Sequence, residues 1–279
     1  MKIQWAAKVR LLVLCCLIVC SMPANSEELP ENRAYFSFGL GAVFPEGTRF
    51  TDSGWADSGI AKLYGSPDIF TDGDFDTGIE WRAGMGYRFT PALRAQVEFG
   101  MANGLDYRGN ANYHRSGARQ PSEAELDTRQ FLLAGFYDFP SWEVGGNLRV
   151  QPYLGAGAGI TDYDLEDFVQ RFPAPDSPLG YLRRGANGEI PLTRLPPGSG
   201  QEFTWMVTAG VVIPVTKRTR LDLSYRYTDA GEITTDMGDI TIERYRQDGS
   251  RREDLLVEID KTVADLKTHG LLATFRFDF

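Results

Sequence analysis

Residues 78–101 read GIEWRAGMGYRFTPALRAQVEFGM, and two alternating segments in this stretch flank a short turn. Before the turn, every second residue from Ile79 to Phe89 is apolar, and the residues between them are charged or glycine. The same alternation resumes after the turn and continues to Met101. A period of two is the pattern of a β-strand with one apolar and one polar face, so the stretch predicts a β-hairpin that turns at 90–92.

The rest of the chain repeats this pattern until eight segments are counted. They are Tyr35–Phe44, Gly78–Phe89, Leu93–Ala102, Leu126–Phe139, Gln151–Thr161, Phe203–Val215, Arg220–Thr228 and Leu266–Phe279. Short connections (90–92, 140–148 and 216–219) alternate with long ones (45–77, 103–125, 162–201 and 229–265). This order predicts an all-β fold, a single eight-stranded antiparallel up-and-down barrel with short turns at one rim and four long loops at the other. Inside the last loop, Asp239–Arg246 and Leu255–Val263 predict a hairpin extension.

The apolar face of these strands is expected to point outward. It carries large side chains, whereas the polar face is rich in glycine, and eight strands enclose only enough room for side chains to fill. Aromatic residues also gather at strand ends, as in the two interfacial girdles of a membrane barrel. They are Phe44, Phe89, Phe139, Phe203, Tyr227 and Phe279. The sequence therefore predicts strands that cross a lipid bilayer.

The first 26 residues have the features of a secretory signal peptide. A basic start is followed by an apolar run from Leu11 to Cys20 and by small residues up to Ser26. We therefore expect the barrel domain to comprise residues 27–279, with Glu27 as the mature N-terminus. The three cysteines all lie in the signal, so the mature chain has no disulfide.

Charge and composition exclude several classes of function. The net charge of −9 becomes −12 once the signal is removed, because it holds three cations and no anion. Such an acidic chain is not expected to bind nucleic acid, which requires clustered cations. Two histidines and no mature cysteine argue against a metal site built from these ligands, and no cofactor motif is recognised.

Four segments carry a resemblance to a known family. LLATFRFDF at 271–279, YDFP at 137–140, PYLGAGAG at 152–159 and LDLSYRY at 221–227 resemble the small eight-stranded outer-membrane barrels of Gram-negative bacteria. That superfamily includes outer-membrane-protein-A-like barrels, Opa-type adhesins and rickettsial surface antigens of the porin family.

The resemblance implies an outer-membrane location, periplasmic short turns and extracellular loops. It implies contact with outer-membrane lipid and lipopolysaccharide, and an assembly signal at Phe275, Phe277 and Phe279 that the barrel assembly machinery reads. It further implies a non-enzymatic surface protein whose loops contact a host or another surface ligand. A small porin-like diffusion channel and a lipid-modifying enzyme are the alternatives.

Charged residues on the predicted interior face are the main candidate site. They are Glu80, Arg82, Arg88, Arg94, Glu98, Asp222, Arg226, Arg276 and Asp278. Both signs occur in similar number, which indicates an ion-pair network that plugs the barrel, whereas a conducting pore favours a ring of one sign.

The tight turn fixes the register of this interior set. If the turn is centred near Pro91, Arg82 and Glu98 lie diagonal to each other and are expected to form a direct ion pair. Arg88 then faces Arg94, and Asp278 is the carboxylate expected to lie near these two arginines.

The remaining candidates have weaker patterns. His114 lies close to Ser116, and His269 lies at the start of the last membrane strand, but neither is surrounded by the motif of a known barrel enzyme. Asp72, Asp74 and Asp76 have the odd spacing of a calcium loop without its glycine and distal glutamate, so a solvated acidic loop is the favoured interpretation.

Overall fold

The computed structural model describes residues 34–52, 70–112, 119–145, 148–172 and 183–279. The predicted signal peptide, His114 and Ser116 lie outside these residues. The strands are β1 (Ala34–Pro45), β2 (Thr48–Asp52), β3 (Phe70–Phe75), β4 (Gly78–Arg88), β5 (Leu93–Asn112), β6 (Arg119–Asp138), β7 (Trp142–Val144), β8 (Leu148–Arg171), β9 (Leu192–Arg194), β10 (Gly198–Pro214), β11 (Thr219–Thr234), β12 (Gly238–Tyr245), β13 (Arg251–Ile259) and β14 (Thr262–Asp278).

Eight of these strands close into a barrel. Around the wall the order is β1, β4, β5, β6, β8, β10, β11 and β14; each pairs antiparallel with the next, and β14 returns to β1. Each of the eight alternating segments falls in one of these strands, so the predicted barrel is confirmed. Within the described residues there is no helix long and apolar enough to cross a membrane.

The wall has the two faces that the alternation predicts. Apolar side chains such as Phe38, Met85 and Leu133 are exposed on the outer surface, with 47%, 65% and 63% of their area accessible. Most of the residues between them along the strands point inward and are buried. The outward-facing apolar band is therefore the surface that meets lipid.

Much of the described chain that was predicted as loop is strand. Strand β5 continues to Asn112 and β6 begins at Arg119, so most of the predicted loop 103–125 is strand. Strand β8 likewise continues to Arg171, and β12 and β13 form the predicted hairpin extension. We call the part of the barrel formed by β2, β3 and residues 102–112, 120–128, 162–171, 230–234 and 262–267 the upper barrel, and the remainder of the eight-stranded wall the lower barrel.

Three β-bulges explain why the alternation is lost in the upper barrel. The register shifts by one residue on β5, β8 and β11, and a residue with positive φ lies at each shift: Gly104 (64°), Asp167 (49°) and Gly231 (77°). A bulge adds one residue to one strand and so moves the following side chains to the opposite parity. On β5, for example, Ala102 and Leu105 both point inward.

The interior of the upper barrel is an apolar core. Phe50 lies at its centre, with edge-to-face ring contacts to Tyr107 and Phe168 at centroid distances of 5.0 Å each. The core comprises Val43, from the adjoining end of β1, with Phe50, Phe75, Ala102, Leu105, Tyr107, Ala124, Leu126, Tyr163, Leu165, Phe168, Ala230, Ile233, Ala264 and Leu266. The upper barrel thus buries apolar side chains inside, as a water-soluble barrel does, whereas the lower barrel presents them to lipid.

Candidate functional site in the barrel lumen

The nine charged residues predicted to face the interior are all buried there. They form two layers with further charged partners. The middle layer consists of Glu80, Arg82, Glu98 and Arg226. The periplasmic layer lies next to the short turns and consists of Arg88, Arg94, Asp138, Arg220, Asp222, Arg276 and Asp278.

In the middle layer, Glu98 is bound by two arginines. Its carboxylate accepts hydrogen bonds from Nη1 and Nη2 of Arg226 at 2.7 and 3.2 Å, and Nη1 of Arg82 lies 3.5 Å from Glu98 Oε2. Arg82 also donates to Glu80 and, at 2.7 Å, to the side-chain oxygen of Gln130. Two cations and two anions therefore balance each other, as a buried charged group requires.

The hairpin register places Arg82 and Glu98 together. Arg82 faces Gly100 and Glu98 faces Gly84 across β4 and β5. A Cβ atom at Gly100 would lie 3.1 Å from Arg82 Nη1, so the guanidinium lies over the space that this glycine leaves open. The diagonal pair predicted from the turn is present.

The periplasmic layer differs from the prediction in its pairing. Arg88 and Arg94 do face each other, but the carboxylate bound to Arg94 is Asp138, at 3.1 Å from Nε, and not Asp278. Asp278 lies instead 2.8 Å from Nη2 of Arg220. Asp278 does act on Arg88 electrostatically, but Asp138, at the end of β6, reaches Arg94 from the neighbouring strand and is its partner.

A third pair completes this layer. Arg276 donates to Asp222 at 3.1 Å. Arg276 also faces Arg220 across β11 and β14, so each of these two facing arginines has its own carboxylate. Pairing in this way offsets the repulsion between like charges directly opposite each other.

Aromatic rings pack against the charges of the periplasmic layer. The guanidinium carbon of Arg94 lies 3.9 Å from the ring centroid of Phe136 and 4.8 Å from that of Tyr153. Tyr35 receives a hydrogen bond from Arg94 Nη1 at 3.3 Å. The ring of Tyr35 occupies the space above Gly86, where an added Cβ would meet it at 2.2 Å.

One side of the lumen is apolar, whereas the alternation predicts a polar, glycine-rich interior face. Strands β6, β8, β10 supply a buried cluster: Leu132, Ala134, Phe136, Tyr153, Met206 and Val212. The glycines of β8 make room for it, since a Cβ at Gly157 would lie 2.9 Å from the terminal methyl of Met206. The sequence does carry a signal for this cluster: between Phe131 and Tyr137 apolar residues occur at successive positions, so both faces of β6 are apolar.

His269 is part of a hydrogen-bonded chain on the outer surface. Its Nδ1 lies 2.6 Å from the hydroxyl oxygen of Tyr225, and its Nε2 lies 2.9 Å from Glu46 Oε1. The Tyr225 hydroxyl can donate to Nδ1 while Nε2–H donates to the carboxylate, so the neutral imidazole is fully satisfied. The position of His269 at the start of the last membrane strand does not reveal these two partners, because Glu46 and Tyr225 are distant in sequence.

Two of the three aspartates predicted as an acidic loop pair with arginines. Asp72 pairs with Arg49 at 2.6 Å, and Asp76 pairs with Arg108 at 3.2 Å. In the described part of the chain, no group of three or more histidine, cysteine, aspartate or glutamate side chains is arranged to hold a metal ion.

The last strand presents its phenylalanines to the outside. Phe275, Phe277 and Phe279 are exposed by 44%, 43% and 63% on the lipid-facing surface near the periplasmic end. Backbone N–H of Phe279 donates to the carbonyl of Ala34 at 3.1 Å, so the C-terminal residue is joined to the first strand.

Comparison with known proteins gives a family. The family model described as "Outer membrane protein beta-barrel domain" matches residues 12–244, which is most of the chain. Among curated proteins, none matches the sequence significantly.

Solved structures that resemble the chain include three outer-membrane proteins. Neisserial surface protein A is 17% identical, with 88% of this chain and 97% of that chain covered and a TM-score of 0.38. OprG of Pseudomonas aeruginosa is 15% identical, with coverage of 91% and 99% and a TM-score of 0.45. The protease OmpT of Escherichia coli is 9% identical, with coverage of 91% and 99% and a TM-score of 0.44. These TM-scores are low, so the assignment rests on the family model: the chain belongs to the outer-membrane protein β-barrel domain family.

Proposed function

We propose that this outer-membrane barrel is a closed, non-enzymatic surface protein that displays its extracellular part for contact with a host or another surface. The observation that carries the proposal is the filling of the lumen at two levels. Ion pairs and aromatic rings fill the lower barrel, and an apolar core fills the upper barrel.

The contents of the lumen favour a closed wall over a pore. Carboxylates and guanidinium groups of the middle layer are almost wholly buried, with 3–8% of the side-chain area of Glu98, Arg82 and Arg226 accessible. A pore that conducts ions needs hydrated walls and commonly a ring of one charge sign, whereas these groups pair with each other.

The upper barrel supports a display role because its extension is held by strand pairing. Strand β12 pairs with β13 on one side and with β9 on the other, and β9 pairs with β8 of the barrel wall. The hairpin formed by β12 and β13 carries Leu255 and Leu256, exposed by 37% and 59%, beside the charged run 251–254. A mixed apolar and charged surface on a fixed hairpin suits recognition of another macromolecule.

The display role is tested with bacteria that express the full-length barrel. Replacement of residues 238–259 by a short turn removes the hairpin, and truncation of the exposed side chains alone (Leu255→Ser with Leu256→Ser) is the milder variant. We expect adhesion to cultured epithelial cells to fall to that of cells lacking the barrel. Equal adhesion of both variants and the intact protein, at equal surface amounts, would contradict the role.

A diffusion channel is the first alternative. Proteoliposomes that contain the purified protein would swell in isosmotic solutions of small sugars if solutes crossed the lumen. We expect swelling no faster than that of protein-free liposomes.

A lipid-modifying enzyme is the second alternative, and the chain Glu46–His269–Tyr225 is the observation in its favour. A base held by a carboxylate next to a hydroxyl has the order of groups found in nucleophilic catalysis. The backbone of β1, β11 and β14 around this chain is used in strand pairing, so it does not supply the backbone N–H donors of an oxyanion hole. Unchanged lipid A mass spectra for His269→Ala cells would support the non-enzymatic role, and a missing modification would refute it.

We further propose the partners that the resemblance implies. The outer apolar band would contact lipid and lipopolysaccharide, and Phe275, Phe277 and Phe279 would serve as the signal for the barrel assembly machinery. Deletion of Phe279 is expected to lower the amount of folded protein in the outer membrane. Residues 1–26 would be removed on export, and an intact mass beginning at Glu27 would support this proposal.

A further inference from the structure

The charges in the lumen of the lower barrel do not sum to zero. Among the described residues, this lumen holds six buried arginines and five buried carboxylates. The arginines are Arg82, Arg88, Arg94, Arg220, Arg226 and Arg276, and the carboxylates are Glu80, Glu98, Asp138, Asp222 and Asp278. The middle layer is balanced, so the surplus cation belongs to the periplasmic layer.

Arg88 is the residue without a counter-ion. It is 1% exposed, and within the described residues its Nε, Nη1 and Nη2 atoms all lack a hydrogen-bond partner. Its register partner Arg94 is bound to Asp138, so that carboxylate is already engaged. Arg88 is therefore a buried guanidinium whose five N–H donors make no hydrogen bond within the described residues.

The neighbours of Arg88 include charges of both signs. Arg276 and Arg94 repel it and Asp278 and Asp138 attract it, but Asp278 is paired with Arg220 at 2.8 Å and Asp138 with Arg94 at 3.1 Å. Nη1 of Arg220 and both Nε and Nη1 of Arg276 are buried and also lack hydrogen-bond partners among the described residues. Nη2 of Arg94 is in the same state, so all four arginines of the layer have unused donors.

We propose that the periplasmic layer binds one small inorganic monovalent anion, of which chloride is the probe, at the guanidinium of Arg88. Because the periplasmic layer has one surplus positive charge, a ligand with one negative charge balances it. The site lies at the last residue of β4, directly before the short turn, so an ion enters from the periplasmic rim without passing the middle layer. Burial of an unpaired charge is costly, and a bound anion removes that cost.

Thermal unfolding in two salts tests the site. The purified full-length barrel is melted in rising sodium chloride, with sodium gluconate holding the ionic strength constant, since gluconate is too large for a buried site. We expect the wild-type midpoint to rise with chloride, as it does for any ligand that binds only the folded state. Arg88→Gln should remove this rise, and in gluconate alone it should melt no lower than the wild type, because it removes an unpaired charge.

A matched control keeps the test specific. Arg129→Gln removes the same charge from the outer surface, where Arg129 and Asp164 are half-exposed and 3.6 Å apart, and it should keep the full chloride response. Crystals of the wild type soaked in sodium bromide give a readout that does not depend on any variant: an anomalous peak is expected within hydrogen-bond distance of the Arg88 guanidinium. No chloride-specific rise in the wild type, an equal rise in Arg88→Gln, or the absence of that peak would overturn the proposal.

Discussion

Replacement of Glu98 by glutamine tests whether the lumen is dry. Glu98 accepts two hydrogen bonds from Arg226 at 2.7 and 3.2 Å and lies 3.5 Å from Arg82, and only 3% of its side chain is accessible. Glu98→Gln leaves two guanidinium groups to share the one remaining carboxylate, that of Glu80. Removal of one partner from a buried ion pair costs about 3–5 kcal/mol, so we expect a loss of this size in the free energy of unfolding.

The assay is equilibrium unfolding of the barrel in urea from lipid vesicles, followed by tryptophan fluorescence. Glu123→Gln is the matched control, because Glu123 pairs with Arg171 at 2.8 Å on the exposed surface, where such a pair contributes about 0–1 kcal/mol. The double variant Glu98→Gln with Arg226→Met should lose less than the sum of the single losses, since it leaves no unpaired charge at that position. A loss for Glu98→Gln no larger than that of the control would show that the lumen charges are hydrated, and would refute the reasoning.

Three further predictions concern the upper barrel and the topology. Burial raises the pKa of Tyr107 from 10 to about 12, so between these pH values only the unfolded chain loses the phenolic proton. The free energy of unfolding should therefore fall as the pH rises from 10 to 12, and Tyr107→Phe should weaken that fall in thermal melts at alkaline pH. Phe50→Ala should lower the free energy of unfolding in urea by about 3–5 kcal/mol because Phe50 is 1% exposed in the apolar core; a change below about 1 kcal/mol would contradict that core. On whole cells, a membrane-impermeant maleimide should label Leu256→Cys but not Thr216→Cys, and the reverse result would invert the topology.

The membrane part of the barrel could be predicted because one rule holds along it. From Gly78 to Met101 the side chains alternate without interruption, and a tight turn joins the two strands, so faces and register both follow from the sequence. The contact between Arg82 and Glu98 could therefore be predicted from the sequence.

The upper barrel could not be predicted because its bulges interrupt the alternation. Residues 103–112 carry small and polar residues around Leu105 and Tyr107, and the shift at Gly104 places these two on the inner face. Ion pairs between strands that are joined by long connections could not be predicted either, because the sequence does not fix the register of such strands. Asp138 lies at the end of the predicted strand Leu126–Phe139 and was not among the predicted interior charges, yet it is the carboxylate of Arg94.

The central claim is that the lumen is closed, and single-channel recording in planar lipid bilayers tests it most directly. Purified full-length protein is delivered to the bilayer by fusion of vesicles in which the amount of folded barrel has been quantified. It should give no discrete conductance steps, because the ion pairs of Glu98 and the core around Phe50 fill the lumen at two levels. A porin recorded in the same bilayers serves as the positive control. Reproducible unitary steps from the wild-type protein, absent from protein-free bilayers, would contradict the account.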